Sequence, residues 1–303
     1  MCIRDSIIPM WVADMDFAPP IAVLDALRKR LDHGVLGYTR TPAPLVETVV
    51  DMLQQQFART IQPEWIVWLP GLVTGINVAC RTAGNDGDAV VTATPVYPPF
   101  LSAPGLARRE LITLPLRWDN TRWHWDLERF EASLTPRTRL LLLCSPHNPV
   151  GRAFGREELM DLIAVCERHD IIVCSDEIHC DLILDPARRH IPTAAISPAG
   201  HERCITLMAP SKTFNIPGLG CSFAVIGNDR LRNRFRRAMA GIVPDVNVLG
   251  YTAAEAAYRY GWDWHRALVD YLRGNRDLVF DAITQMPALQ TFLPEATYLA
   301  WID

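Results

Sequence analysis

Apolar runs of strand length alternate along this chain with longer stretches in which apolar positions recur every three or four residues. Leu140-Leu-Leu-Leu-Cys144, Ile171-Ile-Val-Cys-Ser175 and Cys204-Ile-Thr-Leu-Met208 have almost no polar alternate, which predicts strands covered on both faces. Between the first two, residues 156–169 keep helical spacing. This strand–helix–strand beat predicts an α/β fold with a mostly parallel sheet between helices. Further strands are expected at 65–69, 88–92, 109–114 and 221–226, and helices at 21–31, 44–61, 73–81, 126–134, 229–240, 251–260 and 263–283. Residues 118–125 read as a hairpin or turn-rich loop, Asp126 as a helix cap, and the stretch Phe292 to Asp303 as ending in a strand.

Proline and glycine set the connections. Residues 7–20 carry Pro9, Pro19 and Pro20 and read as an irregular lead-in, with Pro20 placed to open a helix. Gly34 to Thr39 is a glycine-bracketed loop holding Tyr38. Pro70-Gly71 separates a strand from a helix that begins near Val73. Val73 and Thr74 therefore stand at a helix start, where free amides and the dipole suit a phosphate. Pro95-Val-Tyr-Pro-Pro-Phe100 and Ser145-Pro-His-Asn-Pro-Val-Gly151 are stiff loops at the ends of strands. Taken alone, each is an ordinary turn.

Composition narrows the class. Of 303 residues, 49% are hydrophobic and 21% charged, as in a globular chain of one large domain or two smaller ones. The net charge of −4 and pI near 6.1 argue against a nucleic-acid surface. No apolar run is long enough to cross a membrane, and Met1 to Ser6 is no signal peptide. The eight cysteines lie mostly in apolar runs, never as Cys-x-x-Cys, and read as reduced, buried thiols of a cytoplasmic protein. Asp14 and Asp16 have no third ligand nearby, so no metal is expected.

One residue changes the picture. The chain has two lysines, Lys29 and Lys212; the remaining 28 of its 30 basic residues are arginine. Lys29 belongs to a solvated helix face. Lys212 lies in Ala209-Pro-Ser-Lys-Thr-Phe-Asn-Ile-Pro-Gly-Leu-Gly220, between two apolar runs. A desolvated lysine can lose its proton and attack a carbonyl, which arginine cannot. Lys212 is therefore the candidate to hold pyridoxal phosphate (PLP) as a Schiff base, against the alternative of a surface-loop lysine. Four loops at strand carboxyl ends supply the rest of such a site: Tyr97, Asn148, Asp176 with His179, and Ser211 with Lys212. Asp176 can keep the pyridine nitrogen protonated, Asn148 can donate to the 3′-oxygen, and Tyr97 can stack on the ring. Val73, Thr74 and Ser211 can take the phosphate.

Met10-Trp-Val-Ala-Asp-Met-Asp-Phe17, Gly37-Tyr-Thr39, Pro95 to Phe100, His147-Asn-Pro-Val-Gly151, Ser175-Asp-Glu-Ile-His179 and Pro210-Ser-Lys-Thr-Phe-Asn215 resemble the fold-type I PLP-dependent enzymes (the aminotransferase class I/II superfamily), within them the cystathionine β-lyase/C–S lyase branch. The resemblance implies a mostly parallel seven-stranded sheet and a small α+β domain, incomplete here. Its boundaries would be an N-terminal segment 1–20, a PLP-binding domain 21–260 and the start of a small domain at 261–303. It also implies that Lys212 is the Schiff-base lysine and proton shuttle, that His179 lies near the 3′-oxygen, and that the Val12-Ala-Asp14 backbone lies near the substrate carboxylate. Tyr38 would reach the phosphate of a neighbouring subunit in a homodimer. Aspartate-type aminotransferases carry an arginine eight residues after the lysine; here that position is Gly220, as in the lyase branch. The arginine that binds the substrate carboxylate in the family lies beyond residue 303, and the chain reads as a fragment truncated at both ends. The implied reaction is α,β-elimination of L-cystathionine or a related cysteine S-conjugate to a thiol, pyruvate and ammonia. The alternatives are an aminotransferase and a regulatory protein that keeps the fold but acts through a protein partner.

Overall fold

The structure, a computed structural model, describes Met10 and residues 13–303. Helix α1 (Ile21–His33) starts after Pro20 and stops at Gly34, which takes the left-handed conformation with φ 76°. α2 (Ala43–Phe57) ends four residues short of the expected Ile61, because Ala58 turns left-handed and sends Arg59 into the interior beside Thr206. β1 (Ile66–Leu69), α3 (Leu72–Thr82), β2 (Ala89–Thr94), α4 (Pro99–Leu106) and β3 (Glu110–Pro115) follow. The expected hairpin is β4 (Arg117–Trp118) with β5 (Trp123–His124), and Asp126 caps α5 (Leu127–Ser133) by accepting from the Arg129 amide. β6 (Thr138–Cys144), α6 (Arg156–Arg168) and β7 (Ile172–Asp176) form the central unit. α7 (Pro198–Arg203), β8 (Cys204–Met208), α8 (Pro210–Thr213) and β9 (Ser222–Val225) come next, then α9 (Asp229–Met239), α10 (Val248–Tyr260) and α11 (Trp262–Thr284).

The main sheet has seven strands in the order β1-β9-β8-β7-β6-β2-β3, and β9 alone runs against its neighbours. Alternate residues of β6 serve opposite faces. Leu140 and Leu142 pack with α3, α4 and α9, whereas Leu141 and Leu143 pack with α5 and α6. A third cluster joins α1, α2 and α10 over β9. Seven cysteines, all but Cys2 (which lies outside the described residues), are buried and unpaired. Among the described residues no helix is long and apolar enough to cross a membrane.

Three expectations need correction. α4 was masked by Pro99 and Pro104, yet Pro99 sits in the first turn, where its missing amide costs nothing. Lys212 lies in a short helix, α8, rather than in a loop. The final stretch forms no strand: Pro294 and Thr297, the latter at φ 69°, interrupt it, and only single bridges link Ile183 to Ala296 and Thr291 to Ile302.

That final stretch is nevertheless firmly docked. The amides of Glu295 and Ala296 both donate to the Gly151 carbonyl at 2.9 Å. Arg152, 2% exposed, donates to both oxygens of Glu158 at 2.6 and 2.8 Å, to Glu295, and to the Trp123 carbonyl at 2.6 Å. Gly151 has φ 65°, and a Cβ there would stand 2.5 Å from the Pro294 Cβ and 2.8 Å from the Ala296 oxygen. Gly151→Ala is therefore expected to lower stability by roughly 2 kcal/mol or more, read as a fall in the urea midpoint; an unchanged midpoint would mean that the close approach is not required.

Candidate active site

Strands β2, β6, β7 and β8 run in one direction, so their carboxyl ends open on the same edge of the sheet. Tyr97 lies three residues past β2, Asn148 four past β6, His179 three past β7, and Ser211 and Lys212 just past β8. Asp176 is the last residue of β7. The start of α3 follows β1 onto the same edge. Every candidate except Tyr38 is thus assembled by topology.

Lys212 is half-buried, and desolvation pulls its pKa down, opposed by the carboxylates of Asp14 and Asp176. Its Nζ donates to the carbonyl of Ala13. The next turn secures the same segment: the Asn215 Nδ2 donates to the carbonyls of Met15 and Phe17 at 2.8 and 2.7 Å, and its Oδ1 accepts from the Met15 amide at 3.1 Å. Thr213 donates to Asp181 at 2.8 Å, anchoring the helical turn from below.

Asp176 is 5% exposed and pairs in register with Cys144 and Leu207. Burial pushes its pKa up to about 7. The amide of Ile178, donating at 3.1 Å, and the charge of Lys212 work against the rise, and the charge of Glu177 adds to it. Glu177 is wholly buried as well, but ends below the usual carboxylate range. Burial raises it, and the His190 ring at 2.8 Å, Arg59 and the Thr193 amide at 2.9 Å outweigh that effect. Ser175 donates to the same carboxylate at 2.9 Å.

His179 is 2% exposed and pushed down to about 3, by burial first and Lys212 second, so its ring is neutral. Its Nδ1 has no partner among the described residues. Tyr97 is 40% exposed, with its pKa raised by burial and then by Asp176. The Tyr97 and Asn148 loops are stitched together. The Tyr97 amide donates to the Asn148 carbonyl at 3.2 Å, the Asn148 amide to the Cys144 Sγ at 3.3 Å, and the His147 Nε2 lies 2.8 Å from the Pro95 carbonyl.

At the start of α3, Gly75 is the first residue whose amide reaches a carbonyl one turn back, that of Gly71 at 3.2 Å. The amides of Leu72, Val73 and Thr74 have no such acceptor and face the open end. Gly75 lets this turn lie against Leu207, where a Cβ would meet the side chain at 2.9 Å. Gly220 takes φ 59° with a Cβ position 3.1 Å from the Pro70 carbonyl, so the position eight residues after Lys212 disfavours an arginine sterically. Ser211 is half-buried beside Lys212.

Tyr38 is not brought to this edge within one chain. It is fully exposed and lines a separate cleft with residues 243–249. Val12 lies outside the described residues; of its segment, Ala13 supplies a carbonyl to Lys212, and Asp14 is exposed. Sequence reasoning missed Asn215, His147 and Tyr298 as structural members of the site. Asn215 and His147 stood inside quoted motifs without a role, and Tyr298 was hidden in the stretch read as a strand.

Comparison with known proteins places this arrangement. The family model for aminotransferase class I and II matches residues 6–303. Cystathionine beta-lyase PatB of Bacillus subtilis (strain 168) is 37% identical over 303 residues, covering 98% of this chain and 77% of that protein. The crystal structure of OvoB superposes with a TM-score of 0.96 at 48% identity, covering 98% of this chain and 78% of that one. Cystalysin from Treponema denticola, whose crystal structure contains pyridoxal 5′-phosphate, gives 0.95 at 34% identity, covering 99% and 77%. The seven-stranded sheet is that of the fold-type I PLP-dependent enzymes, and the chain belongs to the aminotransferase class I and II family.

Proposed function

We propose that this protein is a pyridoxal phosphate-dependent C–S lyase that eliminates a thiol from L-cystathionine or a related cysteine S-conjugate. The observation that carries the reading is the pairing of a buried, cation-hungry carboxylate, Asp176, with a half-buried lysine, Lys212, on one sheet edge. The 37% identity to a cystathionine β-lyase and the glycine at position 220 support elimination over amino transfer.

The residues fit the cofactor. No cation bonds to Asp176 among the described residues, so a protonated ring nitrogen would relieve its burial. The open amides of Val73 and Thr74, with the hydroxyls of Thr74 and Ser211, suit the phosphate. Asn148, with neutral His179 nearby, suits the 3′-oxygen, and Tyr97 suits the ring face. When bound, pyridoxal phosphate supplies an electron sink for charge developing at the substrate α-carbon. Lys212 would hold the cofactor covalently through its aldehyde carbon. The Lys212 Nζ would take the substrate α-proton, and burial, by lowering its pKa, keeps it competent as a base. The Cβ–S bond breaks with its electron pair left on sulfur, and one water completes the balance to thiol, pyruvate and ammonia.

Residues 21–260 form the cofactor-binding body in this reading and residues 261–303 begin a second domain. The protein works in the cytoplasm as a homodimer in which the partner subunit's Tyr38 reaches the phosphate; its full exposure within one chain supports that role.

Three outcomes are expected. With PLP and L-cystathionine the protein releases pyruvate and homocysteine together, and Lys212→Ala loses at least about 100-fold of that rate; amino transfer to an added keto acid with no thiol would replace this reading by an aminotransferase. Mixing Lys212→Ala with Tyr38→Ala subunits restores about one quarter of wild-type activity, because half the dimers then carry one intact composite site; no recovery would place Tyr38 outside the site. Without ligand, Asp176→Asn makes the protein more stable. The folded-state pKa is raised from 3.8 to about 7, so the ionised form penalises folding increasingly as pH rises through that window. The advantage of Asn grows from about pH 4 to about pH 7 and then levels off near 2–4 kcal/mol in urea titrations, while cofactor binding weakens.

A further inference from the structure

Thr297 is a β-branched residue, fully buried, in the left-handed region at φ 69°. Such a conformation persists only where its surroundings impose it, and it gathers at functional sites. Here the surroundings are plain. The Thr297 amide donates to the Leu182 carbonyl at 2.8 Å, the two preceding amides donate to Gly151, and the Glu295 carbonyl accepts from Leu184 and Asp185 at 2.9 Å each. The kink turns the next residue, Tyr298, inward. Its ring meets His179 edge-on, with centroids 5.9 Å apart, and its hydroxyl donates to the Ala13 carbonyl at 2.8 Å. That carbonyl is the one that accepts from the Lys212 Nζ.

We propose that Tyr298 is a positioning residue for Lys212, its hydroxyl holding the Ala13 carbonyl in place as the acceptor for the lysine amine. Ala13 lies outside the Asn215 clamp, which grips Met15 and Phe17. Among the described residues, Tyr298 and Lys212 are the two donors to its carbonyl. Whenever Lys212 is engaged elsewhere, Tyr298 alone keeps the acceptor where the returning amine will find it. The mechanistic use of this contact rests on the proposed role of Lys212; the contact itself does not.

The test exploits the presence of only two lysines. The full chain, freed of cofactor, is labelled with a trace of acetic anhydride between about pH 6 and pH 11. Peptide mass spectrometry reads Lys212, with exposed Lys29 as internal reference. The groups that face Lys212 are the Asp14 and Asp176 carboxylates, the His179 ring and the Tyr298 phenol; Tyr298→Phe alters the last alone and keeps the ring packing. A drifting Ala13 carbonyl removes an acceptor that favours the ammonium form, so the Lys212 midpoint falls and its labelling near pH 8 rises about threefold or more relative to Lys29. An unmoved or raised midpoint overturns the proposal. Tyr298→Leu, which also deletes the ring, should shift Lys212 as far as Phe does; a shift in Leu alone would assign the effect to packing and overturn it too. Near-ultraviolet circular dichroism confirms that both variants are folded. Because the readout is amine reactivity, it stands whether or not the protein proves to be a lyase.

Discussion

A carboxylate excluded from water at the end of a central strand is the constraint on which the site depends. Asp176 has no bonded cation among the described residues, and burial leaves it poised between its two protonation states at neutral pH. Neighbours on both sides make this possible: Cys144 and Leu207, in register with it, offer no charge. The next residue, Glu177, is also a buried acid, and two adjacent bare carboxylates could not both be ionised there. The chain resolves this by giving Glu177 its own partners, His190, Arg59, Ser175 and the Thr193 amide. One acid at the strand end is electrically satisfied, and the other is left short. That asymmetry makes Asp176 the place where a cationic ligand group lowers the energy.

The frame of this arrangement was legible in the sequence. Nearly unbroken apolar runs at 140–144, 171–175 and 204–208 predict strands covered on both faces, and parallel strands put their following loops on one edge. The sequence pattern alone therefore gathers Lys212, Asp176, Asn148 and Tyr97 on one edge. Local rules failed where proline was read only as a breaker: Pro99 sits in the first turn of α4, a position that tolerates it. They failed again at Ala58, whose left-handed turn ends α2 early. No local preference of alanine predicts that, and the burial of Arg59 against β8 imposes it.

The tail illustrates a different limit. Phe292 to Asp303 has the composition of a strand, with aromatic and β-branched residues at short intervals. What decides its path is tertiary: Gly151 leaves room for Pro294 and Ala296, Arg152 binds Glu295, and the Leu182 carbonyl takes the Thr297 amide. Each partner lies more than one hundred residues away in the chain. The resulting left-handed Thr297 contradicts the preference of its own side chain, which is how tertiary contacts override propensity.

The same tail explains why the amine of Lys212 is met by a carbonyl rather than by an acid. A carboxylate bonded to Nζ would favour the ammonium form strongly and oppose proton release. The two nearby acids are kept from doing so: Asp14 is exposed and screened by solvent, and Asp176 accepts its hydrogen bond from the Ile178 amide. Burial therefore outweighs both, and the lysine pKa falls. A neutral carbonyl accepts from either protonation state and favours the ammonium far less than a carboxylate would, so it fixes where the amine sits while biasing its charge only modestly. Holding that carbonyl from its far side, with a phenol whose own burial raises its pKa and keeps it a donor, adds position without adding charge. For a group proposed both to take and to return a proton, that is the electrostatically economical arrangement.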